Sequence, residues 1–456
     1  MSDRKKLKHL PFVIFIGITI FFALFSIIYL YQWQVNYRNP IRSDGWGYYS
    51  YLPAIFDYHD LSFQFSDSED VAKCIRIDSE GNVINKYPIG TAVLELPFFL
   101  IADISCKILQ PSLATGYSTP YQCAISLSSL FYFIFGLVLL YHILLKYFSE
   151  KIVMWTLVSM VFATNLFHYA TYDASFSHIY SFFLVTAFIY MVENVKPGII
   201  RNFFIGFLAG MVLITRNPNV IIVLYYILHS VNDKPSFIAK IKELFKPRTL
   251  AVNVLGGIIP VAIQCGYWLA ASGKLFIRSY GEEEYFVWLF PYLINVLFSV
   301  SKGCFFYAPV LGIAFCGLWV VKKLNKGISF YSILVVILLD IYITSSWYCW
   351  GYAGSFGQRP FVDFYSLFAI LLACSYDYLN SLCLQGSNGY TRTSVFNLLM
   401  RPLLILMILV STRLMLAYWH EILPFDMSTM ADVMNALSWN FEEMRNVICE
   451  HISWLQ

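Results

Sequence analysis

An acid stands just after the first strongly apolar run of the chain. The stretch SDGWGYYSYLPAIF, residues 43–56, sets Asp44 between a serine and a glycine and follows it with Trp46, Tyr48, Tyr49 and Tyr51. A carboxylate ringed by aromatic side chains has a tuned, often elevated pKa. It can take a proton from a hydroxyl, and it can also ligate a metal. The same Asp ahead of Gly-Trp-Gly can instead cap the free amides of the helix that follows. Trp46 and the tyrosines fit an interfacial belt better than a substrate platform. Tyr48 is nonetheless kept among the sugar- or acceptor-binding candidates.

The cations are spread along the chain. Lys86 and Tyr87 precede Pro88 and Gly90 at the start of an apolar segment. A lysine there suits a phosphate at a helix start, or snorkels to headgroups. Arg216, in TRNPN, lies between two short apolar segments. An arginine at such a depth costs ~2.5–3.5 kcal/mol and asks for an anionic ligand, or for a structural partner such as Asp173. YDASFSHIYSF, residues 172–182, carries Asp173 and His178 as candidate sugar or acceptor contacts; His178 can bind a phosphate or a sugar hydroxyl, or be a structural histidine in a polar notch. SYGEEEYFVW holds Glu282, Glu283 and Glu284, a solvated run from which Glu283 is the candidate to reach a cavity. WYCWGYAGSFGQRPFVDFY, residues 347–365, offers Trp347 and Trp350 for stacking on a sugar ring, glycines for close backbone approach, and Gln358, Arg359 and Asp363. Lys86, Arg216 and Arg359 form the expected phosphate-binding set. Tyr87, Asp173, His178, Glu283, Trp350, Gln358 and Asp363 form the sugar or acceptor set with Tyr48.

These residues have to be positioned by membrane helices. The chain of 456 residues is 58% hydrophobic and 13% charged, about half the charge of a soluble domain. An all-α polytopic membrane fold is expected, since a barrel would alternate in strands of ~10 residues. Eleven spans are expected at roughly 11–31, 121–145, 152–168, 176–193, 203–215, 218–231, 251–271, 304–321, 328–346, 361–380 and 402–418. Arg4, Lys5, Lys6 and Lys8 precede the first span, and basic residues follow every even-numbered one. That parity puts the N-terminus in the cytoplasm and the acid- and aromatic-rich loops outside. Residues 1–418 make one transmembrane unit with a long first outer loop, 32–120; residues 419–456 form a short outer tail. In that loop, YYSYLPAIFDY and KYPIGTAVLELPFFLIADISCKIL read as helices lying on the membrane surface, the second because Glu95, Asp103 and Lys107 are too many charges for a span. The ten cysteines form neither a CxxC pair nor a Cys/His cluster, so no residue is assigned as a metal ligand.

One outer acid, several outer cations and Gly-rich aromatic loops suit a lipid-linked sugar donor. Sugar transfer to a hydroxyl needs one base; a phosphate leaving group needs cations rather than a strong acid. A hydrolase would need a carboxylate pair. Two rival readings fit part of this pattern: a transporter or flippase of lipid-linked glycans, which should show repeat symmetry, and a glycan ligase or polymerase using a pyrophosphate carrier. Nothing points to nucleic acid.

The ordered set SDGWGYYSYLPAIF, KYPIG, TRNPN and WGYAGSFGQRPFVDFY resembles bacterial integral-membrane glycosyltransferases of the GT-C class, nearest to family-39-like polyprenyl-phosphate-sugar transferases. The likeness runs over most of residues 11–380. It implies an inner-membrane enzyme that transfers a sugar with inversion, on the extracytoplasmic face, from a polyprenyl phosphate to a glycan, lipid or protein hydroxyl. Asp44 matches the catalytic first-loop acid of such enzymes, and Lys86 a lysine that similar lipid A aminoarabinose transferases direct at the donor phosphate. Many relatives carry two adjacent first-loop acids, whereas Gly45 follows Asp44 here. That weighs against a protein acceptor and a fixed metal site, so a divalent cation is left open and no other cofactor is implied.

Overall fold

The structure is a computed structural model that describes residues 9–32, 39–65, 69–385 and 392–438. Arg4, Lys5, Lys6 and Lys8, parts of the first loop and the end of the 419–456 tail lie outside the described residues. The fold is all-α, with two small hairpins: β1 (Ile75–Ile77) with β2 (Val83–Asn85), and Cys383–Gln385 with Arg392–Ser394. Five helices are long and apolar enough to cross a bilayer: Leu10–Leu30, Thr119–Leu145, Pro247–Ser272, Arg359–Ser381 and Phe396–Trp419. The protein is a multi-pass membrane protein. The first of these, α1 (Leu10–Gln32), turns Val13, Phe21, Phe25 and Ile28 outward with no protein covering them, as a lipid-facing helix does.

Several expected spans are broken, each for a local reason. The stretch 152–168 is α5 (Glu150–Phe162), a break, and Leu166–Thr171. At the break the Thr164 hydroxyl accepts from the Leu166 amide, and Asn165 donates to Phe356 O at 2.9 Å. Side chains here take over backbone groups that a helix would have used. The stretch 304–321 is one turn, Cys304–Tyr307, then α11 (Val310–Leu324), parted at Pro309. The awkward pair around Arg216 is α7 (Ile199–Thr215), a 3-10 segment Asn217–Ile222 opened by Pro218, and α8 (Val223–Leu228).

Earlier in the chain, α2 (Ser43–Tyr49) and α3 (Gly90–Leu109) lie within residues 32–120; α4 (Thr119–Leu145) packs against α3, and α6 (Ser177–Asn194) against α4. Of the charges that argue for a surface position of α3, Glu95 and Asp103 are turned inward and Lys107 is exposed. Glu95 accepts from Tyr180 at 3.0 Å and Asp103 accepts from Tyr121 at 2.8 Å, while Lys107 bridges Asp103 and Asp57. Trp46, Tyr48, Tyr49 and Tyr51 are buried in protein rather than facing lipid as a belt. Two of these buried tyrosines keep the polar tip paired: Tyr49 donates to Gly116 O and Tyr51 to Tyr87 O.

Further along the chain are α9 (Lys234–Leu244), α10 (Pro247–Ser272), α12 (Phe330–Ser346), α13 (Tyr365–Ser381) and α14 (Arg401–Trp419), besides short helices such as Tyr51–Phe56, Leu293–Phe298 and Met430–Ser438. Small residues set the α7–α10 contact. A Cβ on Gly206 would stand 1.9 Å from Asn253 O, and one on Gly256 would stand 2.1 Å from Phe203 O. Two apolar helices in lipid gain by such close approach, since burial from water gives nothing there. Gly256→Val should therefore force α7 and α10 apart and lower stability by ~1–3 kcal/mol or more, read as a fall in the thermal midpoint in detergent. Gly266→Val on the same helix, where a Cβ meets nothing within 4 Å, should leave the midpoint in place.

Candidate functional site

A cavity of about 590 Å³ opens between α2, the turn after β2, the Arg216–Asn219 break, the 278–288 loop, α12 and the 347–360 loop. That size suits a small ligand. Asp44 lies in its wall, in the first turn of α2. It does not cap the helix. The N-cap residue is Arg42 and no side chain caps the amides. Instead Asp44 Oδ2 accepts from Arg359 Nη2 at 2.6 Å, and Oδ1 accepts from the Tyr87 hydroxyl at 2.7 Å.

The glycines of SDGWG explain how α2 gets so deep. A Cβ on Gly45 would meet Ser175 Oγ at 1.7 Å, and one on Gly47 would meet Tyr87 Cδ2 at 2.2 Å. A second acid at position 45 has no room in this packing. Ser175 in turn donates to Pro40 O, and Arg42 pairs with Asp173 at 2.9 Å. The chain on both sides of Asp44 is thus tied to the 172–178 segment.

The Asp44 carboxyl, expected to be raised or otherwise tuned, is tuned downward. Burial pushes the Asp44 carboxyl up, but Arg359, the Tyr87 hydrogen bond, Lys86 and His178 together outweigh it, and it titrates below the ordinary value. The sign follows from linkage. With the folded pKa depressed, the Arg359–Asp44 pair supports the fold above about pH 4 and is lost as pH falls through the lower folded value. Melting curves taken from pH 7 downward should show an acid limb that is steeper in the wild type than in Asp44→Asn; equal limbs would mean the pair is not formed.

The three cations singled out in the sequence converge. Lys86, Arg216 and Arg359 all line the cavity, with Arg278 at its rim. Lys86 Nζ is 3.0 Å from Glu284 Oε1, which also holds Arg76 at 3.2 Å. Arg359 stacks on Phe176 and Tyr352, with centroids 5.3 and 5.8 Å away. Arg216 pairs not with Asp173 but with Asp363, Nε to Oδ2 being 2.9 Å. Asp363 is fully buried and also accepts from Asn219 Nδ2 at 2.7 Å, with His178 Nδ1 at 2.9 Å. His178 and Asp363 therefore stand behind Arg216 and aim it, and do not line the cavity themselves.

Other sequence candidates fall elsewhere. Tyr48 and Tyr87 line the cavity, their rings 4.6 Å apart. Asp173 is taken up by Arg42 and His168 outside it. Glu283 is exposed, and it is Glu284 that turns inward. Trp350 and Gln358 hold each other, Gln358 Nε2 donating to Trp350 O at 3.0 Å, and the ring at the cavity is Trp347. Two features escaped the sequence. Asp340 of α12 lines the cavity with 4% of the residue exposed, and its Oδ2 has no hydrogen-bond partner among the described residues. An acid inside an apolar span was the available signal. Lys302 is buried and donates to Ser355 O and Phe425 O, both at 2.5 Å, fastening the Gly-rich loop to the segment after α14.

Among the described residues no group of three or more His, Cys, Asp or Glu could hold a metal ion. Compared with protein-family models, with curated proteins and with solved structures, the chain matches none.

Proposed function

We propose that the protein is an inverting glycosyltransferase that moves a sugar from a polyprenyl phosphate to a hydroxyl acceptor. The observation that carries this reading is the Asp44 carboxylate, held in one cavity among Lys86, Arg216, Arg278 and Arg359; of the two other acids in the wall, Glu284 is paired with Lys86 and Arg76, and Asp340 is buried on α12. One base and several cations are what the reaction needs: the acceptor oxygen bonds to the anomeric carbon, its proton passes to Asp44, and the carbon–phosphate-oxygen bond breaks with its electron pair on the phosphate.

A depressed Asp44 is a weak base, and its partner supplies the remedy. A donor phosphate competes for Arg359, and a carboxylate that has lost its cation regains basicity as the site fills. The lipid part of the donor also has a place. The stretch after Trp288 leaves Leu289, Phe290 and Ile294 86%, 79% and 77% exposed beside the cavity wall, a surface fit for a polyprenyl chain. In this reading the eleven-span arrangement has a cytoplasmic N-terminus and an extracytoplasmic cavity, in a bacterial inner membrane. The acceptor in this reading is a glycan, lipid or protein hydroxyl, and the crowding of Gly45, where a second acid has no room, favours the first two.

The test is turnover. Purified protein in nanodiscs, given labelled polyprenyl-phosphate hexose or pentose and cell-envelope acceptors, should release polyprenyl phosphate and form product of inverted configuration. Movement of intact donor between leaflets without bond cleavage would replace this reading with a transporter.

A further inference from the structure

A second cavity, of about 530 Å³, lies away from the first, where α6 ends, α7 begins and α8 gives way to α9. Its lining is rich in cations: Lys196, Arg201 and Lys240, with His229 beside them. Arg201 donates to Met191 O and Val192 O at 3.1 and 3.2 Å, closing the C-terminal end of α6, and stands over Tyr226. Lys240 Nζ lies 4.5 Å from the centre of the same ring, with its side chain 12% exposed. Lys196 is exposed and has no partner among the described residues.

The acids do not cancel this charge. Glu193, with a side chain only 1% exposed, is already taken by Lys146 at 2.6 Å, by Tyr225 at 2.5 Å and by Tyr147. Glu243 is at the rim, 3.7 Å from Lys240. Burial lowers the Lys240 ammonium; Glu243 opposes this, and Arg201 adds to it. Arg201 and Lys196 are left as surplus positive charge in a concave site.

The wall of the cavity is built like a membrane-surface helix. Ser236, Ala239, Lys240 and Glu243 of α9 face the cavity at helical spacing. Phe237 and Ile238 point away and are exposed, as are Phe245 after the helix and Ile199 and Ile200 at the start of α7. A polar, cationic pocket on elements that also carry bare apolar side chains suits the boundary between headgroups and acyl chains.

We propose that this cavity seats the phosphate of an anionic phospholipid from the adjoining leaflet, with its acyl chains along Phe237, Ile238 and Ile200. The inference stands apart from the glycosyltransferase reading, since none of these residues touches the first cavity.

Native mass spectrometry of the protein released from nanodiscs containing phosphatidylglycerol or phosphatidylcholine tests it. The wild type should retain phosphatidylglycerol in preference to phosphatidylcholine. Lys196→Gln/Lys240→Gln should bind it at least tenfold more weakly, and Lys240→Arg should keep it. Lys196→Gln alone, at an exposed position, should weaken retention without changing the melting temperature. Equal retention by the double variant and the wild type overturns the proposal. So does displacement of the lipid by soluble glycerol 3-phosphate at equal concentration, which would make the ligand a free phosphate ester.

Discussion

Asp44→Asn should lower sugar transfer by ~10²–10⁴-fold, the range a positioned general base supplies. The substitution is nearly isosteric. Its amide oxygen still accepts from Tyr87, which donates to Oδ1 at 2.7 Å, so α2 should stay docked. What changes is the partner of Arg359, whose Nη2 lies 2.6 Å from Oδ2 in the wild type. An amide nitrogen there offers the guanidinium a donor instead of a charge. The freed guanidinium should then bind the donor phosphate as well as before or better. The expected pattern is a collapse of kcat with KM for the donor unchanged or lower, which marks a group needed in the transition state and not for binding. Full transfer by Asp44→Asn would remove Asp44 as the base. A loss confined to KM would make it a binding residue.

Much of this arrangement was legible in the sequence because membrane insertion makes polar residues conspicuous. Arg216 stood out between two apolar segments, and the same cost argument holds for Asp340, which went unread inside FYSILVVILLDIYITSS. Asp44, Lys86, Arg216 and Arg359 were found as separate residues of the right chemistry, and they do meet in one cavity. Their pairing was not legible. Residue types offered Arg216 a partner in Asp173, but the fold gives Asp173 to Arg42 and Asp363 to Arg216, a choice made by helices distant in sequence. Of three consecutive glutamates, which one turns inward depends on loop geometry, and Glu284 does so. The aromatics after Asp44 misled for a related reason. Tyr and Trp favour a membrane interface and a protein interior with a polar tip equally well, and only packing of α2 decides between them. Apolar runs likewise mark where helices lie but not where Thr164, Pro309 or Pro218 interrupts them.

Asp363→Ala should be the most destabilising single change near the cavity. Its carboxylate is fully buried and is shared by Arg216, His178 and Asn219. Removing it leaves a guanidinium and two polar side chains facing a void, and breaking a buried pair on one side costs ~3–5 kcal/mol. The same change frees Arg216 from its aim, so donor affinity should fall together with stability. Asp363→Asn keeps the volume and one acceptor but sets its NH₂ against donors, and should fall between the wild type and the alanine variant. The decisive comparison is Arg216→Met/Asp363→Ala. If the ion pair organises this wall, removing the cation as well should restore part of the lost stability, giving a coupling of ~0.5–3 kcal/mol in a double-mutant cycle. Donor binding should stay weak, because the cation itself is gone. Strictly additive losses would mean that Asp363 supports the fold through His178 and Asn219 alone, and that Arg216 is positioned by its place at the end of α7.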